Sequence, residues 1–345
     1  REISNIHQAA YLIAAFALLS QLLGLIRDRL LAGKFGASIE LDVYYAAFRI
    51  PDFIFTIIIS LVSAAVLVPF IIKAIEKEDG YLKKFSDSIF TGLTLISFLV
   101  GTFSFALAPY ILKIIFPEIF FANLGDDLIL LTRILLLQTI ILSFSGFYTS
   151  YIQVFQKFFI YAISPILYNF GIILGIIFFY DKLGLQGLVW GVVLGSLMHL
   201  VVTLPTVFKQ GIFPKFVWKP EWKMIKEVLL LSLPRTIALA GNQISILLMV
   251  VFAAIMTTGS VAIFSFAFNL QSIPLSIIGA SYSMAAFPTL AKLFAKGETK
   301  IFIEYIVRAA RHIIFWSIPI TVLFIVLRAQ IVRTILGTGQ FSWED

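Results

Sequence analysis

The chain has 345 residues, of which 60% are hydrophobic and 13% charged, against roughly 45–50% and 25% in soluble domains; an ordinary water-soluble protein is excluded. A formal charge of +7 matches the lysine excess of cytoplasmic loops in a polytopic membrane protein, so no nucleic-acid partner is expected. The absence of cysteine rules out disulfides, thiolate metal sites and a cysteine nucleophile.

Splitting the chain at charged and Gly/Pro breaks predicts nine helical spans, each long enough for a hydrocarbon core of ~30 Å. The first, 6–33, holds Arg27, Asp28 and Arg29 beside Gly24. It is too long for a cleaved leader and lacks a small-residue cleavage site. The second, 40–75, opens on Asp42 and carries Arg49-Ile50-Pro51-Asp52. Spans follow at 85–115, 125–156 with Arg133, 158–180, and 184–208 with His199. The segment 209–222, "KQGIFPKFVWKPEW", is the linker, with two prolines and two tryptophans suited to an interface. Beyond it lie spans at 223–257, with Arg235 after Pro234, at 260–295 and at 299–336. The expected domains are a six-helix lobe over 1–208, the linker, and the first three helices of a second lobe over 223–345. A start on Arg1 and a stop at Asp345 read as cut ends.

Thirteen lysines fall in alternate loops, against Lys34, Lys113 and Lys182 in the others. That bias places the amino terminus in the cytoplasm, although Arg328 and Arg333 run against it. The two sides of the linker also repeat. Ala47-Phe48-Arg49-Ile50 leads to Ser63-Ala64-Ala65 and Pro69; Ala267-Phe268-Asn269-Leu270 leads to Ser283-Met284-Ala285-Ala286 and Pro288. Six spans separate the copies, so both share one membrane orientation.

Charge inside a span is costly and normally faces a partner or a water-filled cavity. Arg27, Asp28 and Arg49, at a proline-freed turn, therefore read as lining a cationic cavity; the alternative is an Arg27–Asp28 pair near the outer interface with Arg29 snorkelling. Arg235 reads equally as cavity lining or interfacial anchor, and Arg133 as an anchor. Asp42 reads as a solvated cap unless it pairs Arg27 or Arg29, Asp52 as Arg49's neighbour, and His199 as a packing residue. No hydrolase, metalloprotease or nucleotide-binding motif appears, so neither enzyme activity nor a cofactor is expected. Transport would draw on a gradient, a membrane potential or consumption of the cargo.

The stretch "LGLIRDRLLAGKFGASIELDVYYAAFRIPDF" resembles the opening signature of the MurJ (MviN) family of proposed lipid II flippases. The likeness continues in family order through "LTRILLLQTIILSFSGFYTSYIQVFQKFFIYAISPILYNFGIILG", "GLQGLVWGVVLGSLMHLVVTLP", "SLPRTIALAGNQIS" and "LQSIPLSIIGASYSMAAFPTLAKL". It implies an all-α polytopic fold of the multidrug/oligosaccharidyl-lipid/polysaccharide exporter superfamily: a two-lobed, inverted-V transporter of fourteen helices, nine of them in this chain. A monomer in the bacterial cytoplasmic membrane, with lipid II as cargo, is implied as well. By motif, Arg27 and Arg49 would hold a pyrophosphate, with Arg235 substituting for arginines the chain lacks and Asp28 and Asn269 supporting; Asp42 would gate the outer side by pairing a base. Gln21, Phe55 and Asn269 stand where many members carry arginine. That departure leaves open another polyprenyl-linked glycan as cargo, or a non-transporting scaffold for wall synthesis.

Overall fold

The computed structural model describes residues 6–77, 80–211, 213–280, 282, 286, 290, 293 and 297–342. All its regular structure among these is helical: α1 (Ile6–Phe35), α2 (Ile39–Ala47), α3 (Arg49–Val62), α4 (Ala64–Ile75), α5 (Tyr81–Ile115), α6 (Pro117–Phe121), α7 (Gly125–Val154), α8 (Phe158–Leu174), α9 (Tyr180–Leu183), α10 (Leu185–Lys209), α11 (Trp222–Ile255), α12 (Ser260–Pro274), α13 (Thr299–Val326) and α14 (Arg328–Ile335), with π-turns at Gly175–Phe179 and Leu275–Ala280. Eight stretches among the described residues are long and apolar enough to cross a membrane. The first copy of the repeat is covered; Ser283, Met284, Ala285 and Pro288 of the second, with Lys292 and Lys296, lie outside the described residues.

The predicted second span is three helices rather than one. Pro51 cannot donate to the carbonyl of Ala47, and a break at Ser63 separates α3 from α4. In hydrocarbon a freed carbonyl must find a donor inside the protein, and α7 supplies it. Thr132 donates to Ala47 O (3.2 Å) and Ser150 to Val62 O (3.0 Å), and Thr139 adds a bond to Pro51 O within α3 (3.1 Å). All three hydroxyl residues are buried on the side of α7 that faces the kinked span.

Buried apolar side chains form two cores. One joins the ends of α1 and α2 to α7, α8 and α10, and takes in Val250 of α11, Val261 and Phe266 of α12, and Phe341. The other joins α3, α4, the start of α5 and the end of α7, with Ile225 and Val228 of α11. Helix α11 thus belongs to both cores, and its first half packs on the helices before the linker. The first turn of α3, with Arg49 and Asp52, lies between the two.

Helices α8 and α10 meet backbone to backbone. A Cβ on Gly191 would stand 2.4 Å from the Cα of Gly175, and one on Gly171 would stand 2.3 Å from the Cα of Gly195. Close approach of small residues is the usual basis of helix association in lipid. Gly191→Leu is therefore expected to lower stability by about 1–3 kcal/mol, seen as a lower melting temperature of the detergent-solubilised protein, with Gly191→Ala losing less.

Candidate functional site

Arg27 sits on the inward face of α1 and forms an ion pair with its neighbour Asp28 (2.8 Å). Its Nη1 also donates to Asn169 Oδ1 of α8 (3.4 Å), whose amide in turn donates to Ser20 Oγ (3.2 Å). The second oxygen of Asp28 accepts from Asn269 Nδ2 of α12 (3.0 Å). One hydrogen-bonded chain, Ser20–Asn169–Arg27–Asp28–Asn269, therefore ties α1 to α8 and to α12. Asp28 is 3% exposed, a burial tolerable only because both its oxygens are partnered.

Two adjoining cavities open around this chain. The first, about 250 Å³, is bounded by Gln21, Asp28 and Ser272; the second, about 210 Å³, by Tyr45, Arg49 and Asp52. Arg27, Tyr168 and Asn269 line both. Arg49 and Asn269, the equivalent positions of the internal repeat, face the second cavity from opposite sides of the linker. Arg49 is steadied by its Nε donating to Tyr45 O one turn back (3.1 Å). The buried Tyr45 hydroxyl, which has no hydrogen-bond partner among the described residues, is in the same wall.

These cavities are not cationic in formal charge. Arg27 and Arg49 are matched by Asp28 and Asp52, a correction to the sequence expectation that follows from Gln21 and Asn269 standing at polar but neutral positions. The two sequence alternatives for Arg27 also merge: it pairs Asp28 and lines a cavity at once.

At one end of the bundle, Asp42 performs a different task from the one expected. It is 4% exposed, so it is no solvated cap, and it pairs no base among the described residues. Its Oδ2 accepts from the Gly259 N–H (2.6 Å) and its Oδ1 from the Ala262 N–H (2.8 Å). A carboxylate of α2 thereby caps the amino terminus of α12, where orphan amides and the helix dipole favour a negative charge. Gly259, at φ +89°, leaves no room for a side chain, since a Cβ would lie 2.3 Å from the Ala37 carbonyl oxygen. Arg29 does not snorkel; its Nη1 donates to Thr334 O (2.5 Å) and Ile335 O (3.1 Å) at the carboxyl end of α14. Gln340 N–H donates to Gly33 O (2.9 Å). This end is closed by backbone-level contacts.

Against known proteins, the family model described as "Lipid II flippase MurJ" matches residues 31–345. The chain belongs to the MurJ family. A relative from Buchnera aphidicola, described as "Probable lipid II flippase MurJ", is 26% identical over 96% of this chain and 66% of its own length. One from Thermotoga maritima with the same description is 28% identical over 94% of this chain and 65% of its own. This MurJ-family chain thus spans about two thirds of the length of those relatives. A solved structure of a lipid II flippase MurJ in an inward closed conformation has a TM-score of 0.78 at 24% identity, covering 96% of this chain and 68% of that one. An inward-facing multidrug resistance MATE transporter of the MOP superfamily has a TM-score of 0.73 at 14% identity, over 96% and 77%. Both likenesses establish the fold.

Within this MurJ-family fold, Arg27, Asp28, Arg49 and Asn269 come together, while Asp42 lies at the closed end. Arg235 does not join them: it is exposed on α11 and lines neither cavity. Phe55 is half-buried on α3 outside both cavity walls. Arg133 donates to Phe105 O (3.2 Å) and lies over the Phe105 ring (4.4 Å), as an anchor would. His199 is satisfied by Ser145 Oγ (2.6 Å) as a packing residue. Sequence reasoning missed Asn169, Tyr45 and Tyr168. The signal for Tyr45 was its spacing of four from Arg49, which puts both on one helical face; for Asn169 it was a lone amide in an apolar span.

Asp42→Ala removes both acceptors from α12 and is expected to cost about 1–2 kcal/mol of contact at this end. In the naturally cysteine-free chain, a single Ser265→Cys, buried in α12, reports it. Maleimide labelling should rise in the Asp42→Ala background, and unchanged labelling would mean that the cap does not hold this end shut.

Proposed function

We propose that the chain carries out the activity its family description names: moving lipid II, an undecaprenyl-pyrophosphate-linked disaccharide-peptide, from the cytoplasmic to the outer leaflet in bacterial cell-wall biosynthesis. The observation that carries this reading is the pair of guanidiniums, Arg27 and Arg49, lining one membrane-interior cavity between helices from both sides of the linker. Planar, permanently charged donors at that depth suit a phosphate anion, and the free Tyr45 hydroxyl adds a donor in the same wall. Asp28, shared with Asn269, holds Arg27 in place.

The working cycle is alternating access by two lobes, 1–208 and 223–345, joined by the linker. The amino terminus lies in the cytoplasm by the lysine bias, α1 is the first of nine spans in a fourteen-helix plan, and the closed Asp42 end faces outward. The protein acts as a monomer and as a transporter, not an enzyme. Each cavity is smaller than the ~300–1,000 Å³ that a drug-sized ligand occupies. The described shape therefore admits a phosphate group but not a disaccharide-peptide, and the lobes must part to take one.

The even match of carboxylates and guanidiniums favours a second reading, with the same mechanism and another polyprenyl-linked glycan of lower head-group charge. One experiment separates the two. A flippase-depleted bacterium carrying the gene should regain growth without accumulating lipid II; Arg27→Ala and Arg49→Ala should abolish rescue at normal protein level. Arg235→Ala, exposed and outside both cavities, should retain it. Failure of the unmutated, membrane-inserted protein would move the assignment to the second cargo, and rescue by Arg27→Ala would remove the head group from this cavity.

A further inference from the structure

The linker named by its prolines and tryptophans is fastened to α5 along residues 213–221. Lys83 donates to Phe213 O (3.2 Å), Asp87 Oδ1 accepts from Lys215 N–H (2.7 Å), Thr91 Oγ1 from Val217 N–H (3.0 Å) and Ser88 Oγ from Glu221 N–H (3.0 Å). Lys84 pairs with Glu221 (2.6 Å). These α5 positions, 83, 84, 87, 88 and 91, form one helical face. Phe213 also stacks on Phe208 with ring centroids 4.2 Å apart. Pro214 and Pro220 are buried, and the strap has an inner side fixed by backbone bonds.

Its outer side has a definite chemistry. Trp218 is 91% exposed and Trp222 62%, and Phe216 braces Trp218 edge to face at 5.6 Å. Lys215, Lys219, Lys223 and Lys226 are exposed around them. The depth follows from α5, whose 35 residues make a rod of about 52 Å, well beyond a ~30 Å core. The first turns of α5, with Lys83, Lys84 and Asp87, must project into the head-group layer, and the strap lies beside them. Tryptophan prefers that layer, and each lysine near an anionic surface is attracted to it.

We infer that residues 215–226 form a binding site for acidic phospholipid head groups, in which Trp218 and Trp222 seat in the head-group layer and the four lysines contact phosphates, with α5 holding the strap in shape. A strap whose aromatic and basic side is presented by a fixed backbone loses little entropy on binding. It also ties lipid charge to the one covalent connection between the two sets of helices. The site requires a membrane but no particular cargo.

The test uses the protein in nanodiscs with Trp218 as its single tryptophan, every other one, Trp222 included, being replaced by Phe so that Trp218 alone reports on the strap. Quenching of Trp218 by brominated phosphatidylglycerol is compared with quenching by brominated phosphatidylcholine at equal mole fraction. Excess quenching by the anionic lipid of about fivefold is expected, the attraction of a single lysine near such a surface, and it should shrink with added salt. Combined Lys215→Gln, Lys219→Gln, Lys223→Gln and Lys226→Gln should bring the two lipids to parity. Asp87→Ala, which frees the strap at Lys215, should reduce quenching by both. Equal quenching with all four lysines present, iodide-accessible emission in both lipids, or an anionic preference that survives the fourfold change would each overturn the site; unchanged quenching in Asp87→Ala would overturn the part assigned to α5.

Discussion

Hydrocarbon offers no hydrogen bonds, so every backbone group released by a kink or a helix end must be met by the protein itself. This one constraint accounts for many of the polar residues that a chain so apolar retains. Where Pro51 and the Ser63 break free carbonyls, α7 answers with Thr132 and Ser150. Where α12 begins with open amides, Asp42 answers with a carboxylate. Where α14 ends with open carbonyls, Arg29 answers with a guanidinium. Each answer comes from a different helix, so satisfying the backbone and assembling the tertiary structure are the same event.

The kink has a second consequence. A straight α2–α3 helix would continue its buried stripe past residue 48, and Arg49 would have to be excluded from it or left unpaired. The break at Phe48 starts a new helix whose first turn carries Arg49 and Asp52 between the two apolar cores, where the cavities open. Arg27 is placed by partnership. Asp28 alone would neutralise it, but Asn169 and Asn269 fix its direction by holding the two ends of the pair. The outcome is a polar centre of balanced formal charge whose donors are the variable part: Arg49 and Tyr45 have bonding capacity that the protein does not use up.

Much of this was legible in the sequence, for a physical reason. Spans are long and set by bilayer thickness, so hydropathy finds most of them: eight stretches among the described residues qualify against nine expected, and the seventh expected span, 223–257, runs Trp222–Ile255. Arg49 and Asn269, which the sequence repeat aligns, line the same cavity. Register between helices is not written in hydropathy. That Thr132 lies beside Ala47, that Arg29 reaches the end of α14, and that Asn169 meets Arg27 depend on how far one helix slides along another, which no local pattern encodes. Arg235 shows the converse, a residue of the right chemistry that stands on an exposed face of α11.

The two ends of the bundle differ in how they are joined, and the difference bears on how the protein can move. At the Asp42 end, the contacts are to backbone: Gly259 against Ala37, Gly339 against Gly33, and a carboxylate on two amides. Such contacts have little slack, because the glycine contacts are backbone on backbone and Asp42 reaches its two amides on a short side chain. They must break together. Along α3 and α11, contact is by side-chain pairs, Ser60 with Thr236 (2.6 Å) and Gln243 with Thr56 (2.9 Å), which can exchange partners with water one at a time. An all-or-none seal at one end and a graded seam along the other favour two discrete arrangements over a continuum, the condition under which a ligand that prefers one of them can drive the change.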